Sequence, residues 1–395
     1  MGAAGGGQAT RAAPVAERPL APCELTYYDT FGLRLRRHGL MLTRLGDRWQ
    51  LDRGDGRGCR VETPGVTDVP DELRRLVRAY SRDLELGPVP GPSVSTGHRL
   101  GAGPDPTARA VVLGYLEPQV EALARADLAV RLAEPEGVHD LRVATRRIRA
   151  TLRTFAPVLG GRRLVRNLRE SLRWLGASVG PARDMQVQCD RLHRRLDDLP
   201  YAAPGRAAAD RHFRALTQDA VAECAEALGS HRYLQLLNAL EVFDVILREQ
   251  PRGDQPKVAR QPAAAVLPDL VRAVAAETAA RVEGVSGDGG PEVVHAVRKS
   301  AKRLRYALEA AEEALPFTLS RVVADCRALQ DLLGEHQDAV VAGELLRSLS
   351  AHAGEPVPGF EAVLRIEADA QRKCIAALPA AWEVVLRGLE PLRAR

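Results

Sequence analysis

His139, Arg142, Arg146, Arg149 and Arg153 recur at intervals of three and four residues. On a helix turning about 100° per residue they share a stripe about 80° wide. Leu141, Ala144, Ile148, Leu152 and Phe155 fall on the opposite side, so one face can sit on a core while the basic face stays open. Any single Arg-rich helix can be a plain solvated surface, but solvated faces mix signs. Here Arg142 is set against Arg146, and Arg149 against Arg153, one turn apart, each like-charge pair costing about 0.2–0.5 kcal/mol. No carboxylate sits on the stripe. Guanidinium groups in this order suit phosphate, because one fork donates two hydrogen bonds to adjacent oxygens and stays charged at any physiological pH.

The same design occurs twice. His139-Asp140-Leu141-Arg142-Val143-Ala144-Thr145-Arg146-Arg147-Ile148-Arg149 aligns without a gap on His295-Ala296-Val297-Arg298-Lys299-Ser300-Ala301-Lys302-Arg303-Leu304-Arg305. The second copy keeps a stripe of His295, Arg298, Lys302 and Arg305 and an apolar side of Val297, Ala301, Leu304 and Leu308. Further on, Val179-Gly180-Pro181-Ala182-Arg183-Asp184 matches Leu333-Gly334-Glu335-His336-Gln337-Asp338, and Arg173 matches Arg327, after one gap of two residues. Two blocks reconciled by one short gap indicate a duplicated helical unit. Asp184 and Asp338 read either as helix caps or as partners that orient the arginines. Arg166, Arg169 and Arg173 form a further stripe, which is either part of the basic site or a surface row paired with acids from elsewhere.

Charge is concentrated in these segments. The chain of 395 residues has a net charge of only +5, yet residues 136–175 hold ten arginines against three acids and residues 291–306 five basic residues against Glu292. The remainder is therefore net acidic, and a field focused on two related helices suits a polyanion. Nucleic acid is disfavoured, since the stripes lack aromatics for stacking and Asn or Gln for base edges. His139 and His295 are not accompanied by an oriented nucleophile or a metal-ligand cluster, so no catalytic residue and no metal site is assigned. Surrounding cations should lower both imidazole pKa values in the empty site and raise them once phosphate binds. A phosphate-contacting donor and a structural polar histidine are both open roles for them.

The elements that must hold these residues are helical. Aromatics are 4% and hydrophobic residues 45% of the chain, which favours helix over a large β protein. After Thr107, Ala-, Leu-, Arg- and Glu-rich periodic segments run to the end, broken at Glu249 to Pro262 by Pro251, Gly253, Pro256 and Pro262. The predicted basic helices are 136–156 and 291–313, the first followed by a Pro157 to Gly161 turn. Residues 1–22 are expected to form a disordered tail and 101–107 a linker. Between them, 23–100 reads as a small α+β segment with strands at Leu25 to Tyr28, Leu33 to Leu35, Leu40 to Leu45 and Trp49 to Leu51, then one helix from Val69 to Ser81. No run approaches the ~18 apolar residues of a membrane span. Six scattered cysteines without C-x-x-C spacing, and no apolar signal segment after Met1, predict a reduced, cytoplasmic protein with no membrane partner and no cofactor.

The paired H-x-x-R-x-x-x-R-R-x-R and H-x-x-R-K-x-x-K-R-L-R-Y motifs, each followed by an L-G-x-x-x-D-like block, resemble the CHAD family, the conserved histidine α-helical domain, over residues 108–395. The resemblance implies a mainly α fold of two pseudo-symmetric antiparallel helical bundles, halves 108–248 and 263–395. It also implies non-catalytic binding of inorganic polyphosphate and association with polyphosphate granules. Carried over by position, the ligand-facing residues are His139, Arg142, Arg146, Arg147, Arg149, His295, Arg298, Lys299, Lys302, Arg303 and Arg305, to which the stripes add Arg153, Arg166, Arg169, Arg173 and Arg327. Gln337 stands where the family's pattern has the arginine that Arg183 keeps.

Residues 25–30, 33–40, 49–51 and 69–73 resemble part of a CYTH domain, the triphosphate tunnel fold. Its acidic E-x-E-x-K strand is missing ahead of Cys23, and the lysine expected after Trp49-Gln50-Leu51 is Asp52. A tunnel hydrolase needs several carboxylates to hold Mg²⁺ or Mn²⁺, so this piece is expected to be a truncated remnant and the protein not an enzyme.

Overall fold

A computed structural model describes residues 25–54, 58–91, 106–285, 290–315, 317–353 and 355–393. The tail expected over 1–22 and most of the linker expected over 101–107 lie outside them. The chain divides into two units, Met1–Ser95 and Thr96–Arg395.

In the first unit, β1 (Leu25–Asp29), α1 (Arg34–Arg37), β2 (Met41–Leu45), β3 (Arg48–Asp52), β4 (Gly58–Glu62), α2 (Asp71–Leu76), α3 (Arg78–Ser81) and β5 (Gly87–Val89) follow in order. The strands form one antiparallel sheet ordered β4-β3-β2-β1-β5. Alternation in β3 turns Trp49 and Leu51 fully inward. Leu33 to Leu35, expected as strand, is instead the start of a helical turn. The buried Asp29 carboxylate accepts hydrogen bonds from the backbone N–H groups of Thr30 (2.7 Å), Leu35 (2.9 Å) and Arg36 (2.9 Å), and this local capping outweighs the strand pattern. The expected helix over 69–81 is likewise two pieces, parted at the fully buried Val77. β4 and β5, not among the expected strands, pair with β3 and β1.

The second unit is helical: α4 (Ala108–Arg131), α5 (Gly137–Thr154), α6 (Ala156–Leu159), α7 (Arg162–Asp197), α8 (Ala203–Gly229), α9 (His231–Glu249), α10 (Ala263–Glu283), α11 (Pro291–Ala311), α12 (Ser320–Ala353), α13 (Phe360–Gly388) and α14 (Glu390–Arg393). In sequence, α4 packs on α5, α5 on α7 and α7 on α8; then α10 on α11, α11 on α12 and α12 on α13. Helix α5 meets α11, and α7 meets α12, between the two runs. The break at 249–262 holds two 3₁₀ turns. There the Ala108 N–H donates to Gln261 O and the Ala263 N–H to Pro106 O, both at 2.9 Å, so the starts of α4 and α10 are tied together.

Amphipathic patterning sets α5 and α11 in place. Leu141, Ala144, Ile148, Leu152 and Phe155, and Val297, Ala301, Leu304 and Leu308, are all buried. Gly137 permits α5 to start against α4, since a Cβ there would lie 2.7 Å from the backbone N of Val130. One buried ion network joins α7, α12 and α13. Arg191 donates to Glu335 at 2.7 and 2.9 Å and to the fully buried Glu367, while Arg195 reaches the same two carboxylates.

Candidate anion-binding cavity

The open faces of α5 and α11 meet across a cavity of about 810 Å³, closed on its flanks by α7 and α12. Helix α5 supplies His139, Arg142, Arg146 and Arg147, and α11 supplies His295, Arg298, Lys302, Arg305 and Tyr306. The two flanks are built alike. Arg142 lies over Gly180 of α7, donating to its carbonyl oxygen and pairing with Asp184 at 2.8 Å. Arg298 lies over Gly334 of α12, where a Cβ would meet its Nη2 at 3.5 Å, with Asp338 acting on it. Asp184 and Asp338 lie well inside their helices, which rules out the cap reading; Asp184 positions an arginine.

Below these, Tyr306 is buried and carries Arg305 over its ring at 4.8 Å and Arg147 at 5.6 Å. Tyr306 also acts on the Arg146 guanidinium, opposing the effect of burial. Glu309 holds the same floor, 3.3 Å from Arg147 and 3.7 Å from Arg305, and accepts from the Tyr115 hydroxyl at 3.0 Å. Arg147 and Arg305 are thus partly neutralised.

Arg298 and Lys302 are held less directly, Asp338 and Asp184 acting on Arg298 without an ion pair. Among the described residues neither has a hydrogen bond or an ion pair, and the Nε atoms of Arg146, Arg298 and Arg305 are buried without a partner. Burial, compounded by Arg298, Arg146, Arg142 and Arg305, lowers the Lys302 ammonium to about 6. Burial also lowers the Arg298 and Arg146 guanidinium groups from their ordinary value. Burying cations with no carboxylate in ion-pair contact is costly, so the cavity favours an anion. His139 is shifted down by burial and by Arg183. His295 is shifted down by burial too, against the opposing effect of Gln337, whose Oε1 accepts from its Nδ1–H at 2.5 Å. That bond leaves Nε2 as the free nitrogen.

The remaining expected residues lie elsewhere. Arg303 is buried with its guanidinium on Glu277 of α10, and Arg153 reaches the same carboxylate at 3.4 Å. Arg327 lies 3.7 Å from Glu309. Lys299, Arg166 and Arg173 are exposed, and Arg149 and Arg169 are partly buried outside the cavity lining. Arg183, Tyr306, Gln188, Gln330 and Glu335 line the cavity without being among the expected ligand contacts. Arg183 and Glu335 fall inside the repeated blocks and Tyr306 ends the second basic motif, so their signal was present.

The family model for the CHAD domain matches residues 114–347. The chain belongs to the CHAD domain family. The crystal structure of the CHAD domain from the plant Ricinus communis is similar at 25% identity with a TM-score of 0.54, covering 76% of this chain and 97% of that one. PptA from Streptomyces chartreusis shares the fold, with a TM-score of 0.55 at 23% identity over 71% of this chain and 99% of its own. Two curated proteins of Mycobacterium tuberculosis strains, MT2285 and Rv2226, both described as uncharacterized, are 33% identical over 339 residues. That match takes in 80% of this chain and 62% of theirs, so the chain spans about three-fifths of the length of these relatives. No helix among the described residues is long and apolar enough to cross a membrane.

Proposed function

We propose that this protein binds inorganic polyphosphate without catalysis, in the cavity between α5 and α11. The ligand contacts are Arg142, Arg146, Arg298 and Lys302, with the two histidines in the lining and Arg147 and Arg305 beside Tyr306. The observation that carries this reading is the pair Arg298 and Lys302, largely buried among cations with neither a hydrogen bond nor an ion pair among the described residues. A linear anion with a charge at every unit supplies what they lack. Guanidinium groups from two facing helices can each take adjacent phosphate oxygens. Nucleic acid fits less well, because each lining amide is turned in part to the protein: Gln330 donates to Ala301 O at 3.1 Å, Gln188 to Asp338 O at 3.4 Å, and Gln337 accepts from His295. Membership of the CHAD family supports the same ligand, and with it association with polyphosphate granules.

The two helix runs are read as copies of one duplicated unit, and the N-terminal sheet as a reduced triphosphate-tunnel module that serves as an appendage to the binding domain. Arg142→Glu combined with Arg298→Glu reverses one cation on each side. Polyphosphate binding should be lost while the helical circular dichroism and melting temperature stay close to wild type. Undiminished affinity in a folded double variant would remove the cavity from consideration.

A further inference from the structure

Outside the cavity, arginines of the first half stand together, and although Glu170 lies on the same helix no ion pair forms among the described residues with Arg149, Arg166, Arg169 or Arg173. Arg149 of α5 is partly buried, and the charges acting on it are Arg173, Arg146, Arg169 and Arg153, cations without exception. Among the described residues, Arg149, Arg166, Arg169 and Arg173 have neither hydrogen bond nor ion pair, and the Arg169 Nε is buried unpartnered. Like charges kept in contact repel unless something shared lies over them.

Their order along the helices gives this group a direction. Helices α5 and α7 run antiparallel: Arg142 bonds Gly180 at the cavity, Thr145 lies 3.8 Å from a Cβ placed on Gly176, and Arg149 stands beside Arg173. The arginines therefore continue from the cavity wall toward the start of α7, and Gly180 to Arg166 spans about 21 Å at a rise of about 1.5 Å per residue.

The second half keeps this register and lacks the continuation. Arg298 lies over Gly334, Gln330 donates to Ala301 O, and Arg305 and Arg327 both approach Glu309. In the aligned repeats Glu309 takes the place of Arg153, while the buried Val323 and the exposed Ser320 take those of Arg169 and Arg166. One side carries on as a row of unpaired cations; the other ends at a carboxylate.

The geometry points to a one-sided extension of the anion path, so that a linear polyphosphate longer than the cavity leaves it along Arg149, Arg173, Arg169 and Arg166 and not along the matching face of α11 and α12. This rests on the cavity binding polyphosphate and adds to it a preference for long chains, held in one direction. The extension gives extra contacts only to a ligand that already fills the cavity.

The test uses the full chain with two probes, tripolyphosphate and a polymer of roughly 100 phosphates, titrated over a salt series. The variant is Arg166→Gln with Arg169→Gln and Arg173→Gln; a charge-matched control is Arg365→Gln with Arg372→Gln and Lys373→Gln on α13. The triple variant should lose at least tenfold in affinity for the polymer and keep tripolyphosphate affinity within twofold. Its log–log salt slope should become shallower by about two, at roughly 0.7 per lost contact on a flexible polyanion. The control should match wild type. Arg166→Gln with Arg173→Gln alone, both on exposed positions, should give a smaller loss in the same direction, which keeps the test valid if Arg169 matters for folding. Polymer affinity within twofold of wild type in both variants, or an equal loss in the control, overturns the extension and leaves the cavity reading standing. A wild-type protein that binds neither probe overturns both.

Discussion

Replacing Lys302 by arginine should uncouple binding from pH. Burial, with Arg298, Arg146, Arg142 and Arg305, lowers the Lys302 ammonium to about 6. A bound polyanion reverses the local field, so the amine must take up a proton on binding. The sign follows directly. Below pH 6 the lysine is already charged and contributes fully to affinity. As pH rises above 6, protonation has to be drawn from solution, and affinity should fall by up to about tenfold per pH unit for this one group. At pH 8 the deficit approaches about 100-fold relative to an always-charged side chain. His139 and His295, both shifted down from their ordinary value by burial, act in the same direction at lower pH. Lys302→Arg should therefore flatten the profile between pH 6 and 8 and bind more tightly than wild type at pH 8. Lys302→Met should flatten it at low affinity. Calorimetric titration with a long polymer, whose terminal phosphates are few, in buffers of different ionisation enthalpy reads the proton uptake directly. A wild-type profile that is flat from pH 6 to 8, with no proton uptake, would refute the reasoning.

Stability should report the packing around the cavity. Arg191→Ala leaves Glu335 and the fully buried Glu367 with Arg195 as their remaining partner. It should cost up to about 3 kcal/mol in urea unfolding, and an unchanged midpoint would show that Arg191 contributes nothing to the network. Gly137→Ala puts a methyl 2.7 Å from the Val130 backbone and should destabilise by about 1–3 kcal/mol. Gly114→Ala, on an exposed position of α4 with no atom within 4 Å of the new Cβ, should stabilise by about 0.5–1 kcal/mol. Reversal of that order in chemical denaturation would contradict the packing described for α4 and α5.

Much of the binding region could be read in advance because it depends on local periodicity. The intervals of His139 to Arg153 fixed which side of α5 is buried, and the gapless match to His295 to Arg305 transferred that to α11. The Pro-rich stretch before Ala263 marked the break for the same local reason. What could not be read was which cations find carboxylates across the fold. Arg303 looks equivalent to Arg147, yet Glu277, on another helix, neutralises it, and Glu309 sits under Arg147, Arg305 and Arg327. Such pairings depend on helix packing, to which residue spacing is blind. The strand expected at Leu33 to Leu35 failed for a related reason, since a single buried carboxylate, Asp29, captures the backbone of the next turn.

The central claim is tested most directly by the affinity for long-chain polyphosphate over a salt series, with double-stranded DNA and RNA as competitors at equal phosphate concentration. The account predicts tight binding with a steep salt slope that neither nucleic acid displaces. Weak binding, or ready displacement by DNA or RNA, would contradict it.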